Sequence, residues 1–273
     1  MNIIKQPGAY ILSHNGLGDY ITMIGAVRFL SNYYDTIYFL CKDIFESNVK
    51  LLFKDLNVIT IPFLHNDEFE ICKNIINNAK ENNMGYDFFI CGMHNNYASS
   101  IITHPVLLSY NKNDKMYTNK YSHIKDFYYD IHLDLSIYYD YFQINSTNES
   151  KTLYEEINNY NIIFMHTKSS DRELDLIKII SEYIHKKDYI IICANKNIYD
   201  SIGDYEIKKN ICNKYVNIPI AHYIDIIKEA TYIHVIDSCF SCIIYPLAIT
   251  NKLKSKQTII YNRTIELDPI TLI

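Results

Sequence analysis

Three short segments of the 273-residue chain gather chemistry-bearing side chains where an apolar run gives way to a helical pattern. The first is Ser13-His14-Asn15-Gly16-Leu17-Gly18-Asp19. Two glycines let the backbone turn tightly and approach a ligand closely. The helix that follows aims its free N–H groups and positive dipole end at the same place. Asp19 falls in the first helical turn, where a carboxylate can either cap the helix or take a proton from a hydroxyl. A dinucleotide fingerprint fails here, because Ile21 stands where G-x-G-x-x-G requires its third glycine. A Walker A loop is also absent from the sequence.

The second segment is His166-Thr167-Lys168-Ser169-Ser170-Asp171-Arg172, directly after an apolar run. Two cations and several hydroxyls at a strand's carboxyl end suit a diphosphate. The alternative is a solvated loop whose Ser170 or Asp171 caps the next helix. The third segment, Val235-Ile236-Asp237-Ser238-Cys239-Phe240-Ser241, turns from a buried strand into an apolar helix. Small hydroxyl residues there can combine with backbone amides to hold phosphate, and Asp237 can cap the helix or orient a ligand hydroxyl. Cys239 and Cys242 form a C-x-x-C with no second ligand pair nearby, which argues against a zinc site.

Other chemistry finds little support. His65, His94, His104, His123 and His132 lack metal-ligand spacing, no G-x-S-x-G elbow occurs, and no Asp-x-Asp offers a divalent metal a clamp. Net charge is −5, so no overall basic field draws nucleic acid. The 26 tyrosines accompany a general excess of Asn, Ile and Lys, so no stacking surface is read from them. With 48% hydrophobic and 21% charged residues the chain is globular rather than disordered. The opening MNIIKQPGAYILSHNG has no signal-like apolar core, and no apolar run approaches the roughly 18 residues of a membrane span. Seven scattered cysteines then imply buried free thiols and a cytoplasmic, reducing location. Three Asn-x-Ser/Thr matches, Asn262-Arg263-Thr264 among them, are discounted on the same ground.

The elements that would position these segments follow from alternating apolar runs and amphipathic stretches. Strands are expected at Tyr10–Ser13, Thr36–Cys41, Asn57–Ile61 and Asp87–Cys91, with helices at Tyr20–Asn32, Ile44–Lys54 and Asp67–Asn82 between them. Gly92–Tyr117 reads as a long loop, Lys120–Phe142 as a helix, and Asn145–Ser150 as a linker. A second series places strands at Asn161–His166, Tyr189–Cys193, Tyr232–Ile236 and Thr258–Tyr261. Its helices are Leu174–His185, Ile220–Ala230 and Cys239–Ile249. Repeated βα units imply parallel sheets. The fold class expected is α/β: two Rossmann-like parallel-sheet lobes facing a central cleft, 1–145 and 150–273.

Together the segments resemble the GT-B glycosyltransferases, particularly the heptosyltransferase-like group. The likeness rests on Gly16-Leu17-Gly18-Asp19, on Gly25-Ala26-Val27-Arg28-Phe29-Leu30, and on Val235-Ile236-Asp237-Ser238 with the helix ending Pro246-Leu247-Ala248. It departs where Cys239 and Ser241–Cys242 replace the group's usual glycine and histidine. The resemblance implies a nucleotide-diphosphate sugar as donor, a glycan-type acceptor on the first lobe, no separate cofactor and no metal. It implies Asp19 as general base, with Asn15, Gly16, Leu17 and Gly18 beside it. It further implies a donor site of His166, Lys168, Ser169, Arg172, Asn195, Asp237, Ser238, Cys239 and Ser241, with Ile218 in the base-recognition stretch Val216–Tyr223. A catalytically silent binding relative and a GT-B-like sugar-nucleotide epimerase remain alternatives.

Overall fold

The computed structural model describes residues 4–13, 16–64, 68–82, 85–96, 98–108, 122–183, 188–195, 213–264 and 267–272. The chain divides into two compact units, Met1–Ile144 and Asn145–Ile273.

The first unit is built on a parallel sheet in the order β3-β2-β1-β4, from β1 (Gln6–Leu12), β2 (Tyr34–Lys42), β3 (Val58–Phe63) and β4 (Asp87–Ile90). Parallel neighbours cannot be joined by a tight turn, so helices make the crossovers. They are α1 (Leu17–Thr22) with α2 (Ile24–Leu30), α3 (Glu46–Leu52) and α4 (Glu68–Glu81). Cys72, Ile76 and Ala79 form the buried stripe of α4 and pack against Leu12, Leu40, Phe88 and Ile90 of the sheet. Glu68 and Glu70 open that helix and Lys80 closes it, as its dipole favours.

The single helix expected over Tyr20–Asn32 is broken at Met23. The cause is a side chain from far along the chain. The buried Tyr128 hydroxyl accepts the Ala26 N–H at 3.0 Å and donates to the Thr22 carbonyl at 3.1 Å, standing where those two groups would bond each other. Tyr128 belongs to α6 (Ser122–Asp130), which is followed by α7 (Ser136–Asp140). One helix was expected over Lys120–Phe142, but the chain turns at His132, whose φ is 57°. Lys120 lies outside the described residues. Gly25 lets α2 meet α7: a Cβ there would lie 2.6 Å from the Ile137 carbonyl oxygen and 2.9 Å from the Tyr138 Cα. Arg28 adds a fork to Asp55 at 2.8 and 2.9 Å and a bond from Nε to the Gln143 carbonyl at 2.6 Å. The stretch after β4 is more ordered than the loop expected, with a 3₁₀ turn over Gly92–Asn96 and the short helix α5 (Pro105–Leu108). Buried Asp87 holds it, accepting from the Tyr34 hydroxyl, the Thr103 amide and hydroxyl, and the His104 amide.

The second unit carries a sheet in the order β6-β5-β7-β8-β9. Its strands are β5 (Asn161–His166), β6 (Tyr189–Cys193), β7 (Tyr232–Ile236), β8 (Gln257–Tyr261) and β9 (Ile270–Leu272). The first four are parallel, and β9, which sequence patterning missed, pairs antiparallel with β8. Preceding them is α8 (Asn148–Glu155). The stretch read as a linker is therefore the start of a helix. Thr147 and Ser150 form a capping box, each hydroxyl accepting the other's amide at 2.8 Å. Ser146 and Ser150 also donate to Asp225 of α10 (Ile224–Glu229). Serine and threonine read equally well as loop or as cap, and burial of Thr147 and Ser150 decides for the cap.

Between β5 and β6 runs α9 (Leu176–Ser181), capped by Asp175, whose side chain accepts the Lys178 amide; neither Ser170 nor Asp171 does so. After β7 comes α11 (Cys239–Ile249), with the bounds its apolar run predicts. Phe240, Ile243, Ile244 and Leu247 bury its inner face. Cys41, Cys72, Cys91 and Cys193 are buried free thiols, whereas Cys239 and Cys242 are partly exposed. Among the described residues no helix is long and apolar enough to cross a membrane.

Gly25→Ala is expected to destabilise the protein by about 1–3 kcal/mol through overpacking against backbone that cannot yield. Urea unfolding followed by circular dichroism would check this. An unchanged midpoint would mean that α2 and α7 separate freely.

Candidate functional site

In an open parallel sheet, ligands collect at the carboxyl ends of the two strands where the winding direction reverses. In the first unit that point lies between β1 and β4, and in the second between β5 and β7. Two of the three sequence segments leave the sheets at the first strand of each pair, and the third leaves β7.

At the first switch point the ends of β1 and β4 are joined by the Cys91 amide donating to the Leu12 carbonyl at 3.0 Å. Gly16 is the N-cap of α1, and Asp19 occupies the third helical position rather than the cap. Its Oδ2 reaches back to accept the Gly16 amide at 3.0 Å. The glycine does not serve the turn as expected, since Gly16 has φ −91°, open to any residue. It provides room: a Cβ there would lie 2.8 Å from Asp19 Oδ2. Leu17 and Gly18 form the first turn, and the Gly18 carbonyl accepts the Thr22 hydroxyl at 3.0 Å. His14 and Asn15 lie outside the described residues.

Sequence reasoning missed two groups at this point. Gly92, with φ 68°, directs its amide to Asp130 Oδ2 at 2.8 Å. Asp130 and Asp19 both act on the thiol of Cys91, whose pKa burial raises most and the two carboxylates raise further. The signal for Gly92 was present, a glycine directly after a strand in a chain with only seven. Asp130 gave none, being remote in sequence.

The second switch point is denser. The imidazole Nδ1 of His166 lies 3.0 Å from the Ser238 hydroxyl, joining the ends of β5 and β7. The ring packs on Phe240, centroids 4.6 Å apart. Burial lowers the His166 pKa to about 4, so the ring is uncharged at neutral pH and adds no cationic charge. Thr167 donates its amide to Asn195 Oδ1 at 3.0 Å, tying in the end of β6. Its own hydroxyl oxygen is fully buried and has no hydrogen-bond partner among the described residues. Ser169 folds the following residues into a tight turn, its hydroxyl accepting from the Asp171 and Arg172 amides. Ile218 donates its amide to the Tyr223 hydroxyl at 3.4 Å, and the neighbouring Asn217 amide bonds the Ala194 carbonyl beside Asn195.

The two expected cations are placed differently. Lys168 pairs loosely with Glu173 at 3.8 Å, both exposed, a contact worth little and easily exchanged. Arg172 instead spends Nη1 on the Asn262 carbonyl at 2.6 Å, so it braces the chain after β8. Arg263, read only as part of a glycosylation match, donates Nε to the Asp237 carbonyl at 2.8 Å. A cation directly after the last parallel strand is the signal that could have found it. Asp237 does not cap α11. Its Oδ1 accepts the Ser241 hydroxyl at 2.8 Å, while Ser238 is the N-cap and its amide donates to Ser241 Oγ at 3.0 Å. The Cys239 thiol is pushed up to about 11, chiefly by burial, which makes it a poor nucleophile. This edge therefore offers neutral donors, a helix N-terminus and nearby cations, a combination suited to an anionic ligand.

No family model and no curated protein matches the sequence. Solved structures do. One is the E. coli ADP-heptose LPS heptosyltransferase II, with TM-score 0.56 at 10% identity over 89% of this chain and 82% of that one. Another is the glycosyl transferase family 9 structure from Veillonella parvula, with TM-score 0.55 at 9% identity over 91% and 80%. The chain has the GT-B fold. Within that fold the two switch points described above are the places where each sheet exposes strand ends to a ligand.

The second unit holds two histidines, His234 buried and His166 partly so, that share one pH response. His234 on β7 is flanked by the hydroxyls of Tyr183 at 2.7 Å and Tyr261 at 3.1 Å, and burial lowers its pKa to about 4, like that of His166. An unfolded histidine titrates near 6.5, so below that pH the unfolded chain binds protons that the folded one refuses. Stability should be level above about pH 6.5 and fall as pH drops toward 4. Urea midpoints measured across this window check it, and His234→Gln should flatten part of the slope.

Proposed function

We propose that this chain is a glycosyltransferase that moves a sugar from a nucleotide-diphosphate sugar to a hydroxyl of a glycan-type acceptor. The observation that carries the reading is the coincidence of a GT-B fold, shared with two glycosyltransferases, with polar clusters at both switch points. The second unit would take the donor. His166, Ser238, Asn195 and the start of α11 supply neutral hydrogen bonds, while Lys168 and Arg263 supply charge to the departing diphosphate. The Thr167 hydroxyl, without a partner among the described residues, adds support, since a buried polar group left so costs stability unless a ligand completes it.

The first unit would take the acceptor, with Asp19 as general base. Asp19 accepts the acceptor's proton as the hydroxyl oxygen forms its bond to the anomeric carbon. The bond from that carbon to the diphosphate oxygen breaks, and the nucleoside diphosphate leaves with the electron pair. One displacement of this kind inverts the anomeric centre. The donor set proposed here uses protein groups alone, with neither metal nor separate cofactor.

Asp19 serves the fold as well as the proposed chemistry, so the choice of variant matters. Asp19→Asn keeps an oxygen to accept the Gly16 amide but cannot act as base. It should retain the melting temperature and donor affinity while kcat falls about 10²–10⁴-fold. Asp19→Ala should lose turnover and part of the cap. Transfer assays over a panel of sugar nucleotides, with thermal melts alongside, separate the cases. Full turnover in Asp19→Asn would remove this residue as base, and a wild type that binds donor without any turnover would be a silent relative.

A further inference from the structure

The chemistry proposed above uses neither thiol of the turn Cys239-Phe240-Ser241-Cys242. These cysteines hold the first and fourth positions of α11, directly after the N-cap Ser238. Both are partly exposed, whereas Cys41, Cys72, Cys91 and Cys193 are buried. Residues three apart on a helix have Cα atoms about 5 Å apart, within the range of about 4.4–6.8 Å that disulfides span. Their Cβ atoms lie about 5–6 Å apart in a regular turn and must approach to about 3.8 Å for a sulfur–sulfur bond. The pair therefore closes only if the first turn of α11 gives by about 1–2 Å.

That turn is loosely tied. The backbone bond from the Cys242 amide to the Ser238 carbonyl is long, at 3.3 Å. Ser241 Oγ does more of the holding. It accepts the Ser238 amide at 3.0 Å, and its single proton has two acceptors in reach, Asp237 Oδ1 at 2.8 Å and the Ser238 carbonyl at 2.6 Å. Side-chain bonds of this kind can be exchanged as the backbone shifts. Burial pushes the Cys239 thiol up to about 11, although the amides of Phe240 and Cys239, the Ser238 side chain and the Arg263 charge draw it partly back. A thiol held so high exchanges slowly, which suits a pair set by its redox surroundings rather than one that turns over as a catalyst.

We propose that Cys239 and Cys242 form a reversible disulfide that reshapes the first turn of α11 and, through Ser238, its contact with His166. The oxidant is a small disulfide such as oxidised glutathione. One cysteine thiolate attacks it, forming a mixed disulfide and releasing one glutathione thiolate. The second cysteine thiolate attacks the protein sulfur of that bond, closing the ring and releasing the other glutathione thiolate. The protein loses two electrons and two protons, and both pass to the two glutathione thiols formed. Ser238 carries the effect outward because it caps the turn and its hydroxyl lies 3.0 Å from His166 Nδ1. The inference stands apart from the glycosyltransferase reading, since neither the bond nor the shift requires a sugar nucleotide.

Two measurements on the full chain test it. The protein is equilibrated in graded mixtures of oxidised and reduced glutathione, alkylated, digested with trypsin and mapped by tandem mass spectrometry. The peptide Glu229–Lys252 holds both cysteines and no other. In oxidising mixtures it should appear unalkylated and two hydrogens lighter, and excess reduced glutathione should reverse the change. Glutathione adducts alone, a bond to any other cysteine, or two free thiols throughout would overturn the proposal. Histidine-ring ¹H–¹⁵N spectra, with His166 assigned by its loss in His166→Gln, report the consequence. The His166 signals should move on oxidation and return on reduction. They should stay still in the double variant Cys239→Ser, Cys242→Ser, with circular dichroism checking its fold. A disulfide that forms while His166 stays still removes the switch. Neither failure touches the glycosyltransferase reading, which transfer assays decide separately.

Discussion

Parallel pairing of β5 with β7, in a register that sets His166 opposite Val235, is the constraint on which the second unit's chemistry depends. Because the strands run the same way, both chains leave the sheet at one edge. The backbone past Val235 needs only three more residues to bring Ser238 against the imidazole. A shift of one residue would turn His166 to the other face of the sheet and separate the pair. The same edge receives Thr167, Asn195 and the start of α11, so one register decision assembles donors contributed by three strands.

The first unit solves its corresponding problem with buried polar anchors. Tyr128 enters the ladder between Thr22 and Ala26, breaking the helix while pairing both of the backbone groups it separates. Gly25 admits α7 at that bend, and Arg28 fastens the next turn to Asp55 and Gln143. The Arg28 of the family-like stretch thus works as a structural fork. Its effect is to hold α1, and with it Asp19, at the end of β1.

Capping and ligand binding draw on the same groups throughout. Asp19 satisfies Gly16, Ser238 satisfies His166, and Ser241 satisfies both Asp237 and the Ser238 amide. A helix N-terminus leaves several amides without partners, so side chains selected to meet them already stand where an anion would bind. This overlap explains why each segment, taken alone, reads equally well as a cap or as a site.

Much of the architecture was legible in the residue pattern. Strand β5, strand β6, strand β7 and helix α11 have the bounds expected from apolar runs, because a buried strand or helix must be apolar over the length that it buries. The glycine turn with Asp19 and the Asp237–Ser241 turn were found because chain-local chemistry marks them. What escaped was set by distant partners: the break at Met23 by Tyr128, the Asp130 carboxylate by Gly92, and the loss of Arg172 to the Asn262 carbonyl. The sequence by itself determined two series of βα units and the segments at their strand ends, since periodicity and caps are local properties. Three-dimensional packing alone settled which of those side chains meet, which cations are already committed and which hydroxyl lacks a partner among the described residues. Hydrogen-bond partners are allotted by proximity in space, and proximity across a sheet edge is invisible along the chain.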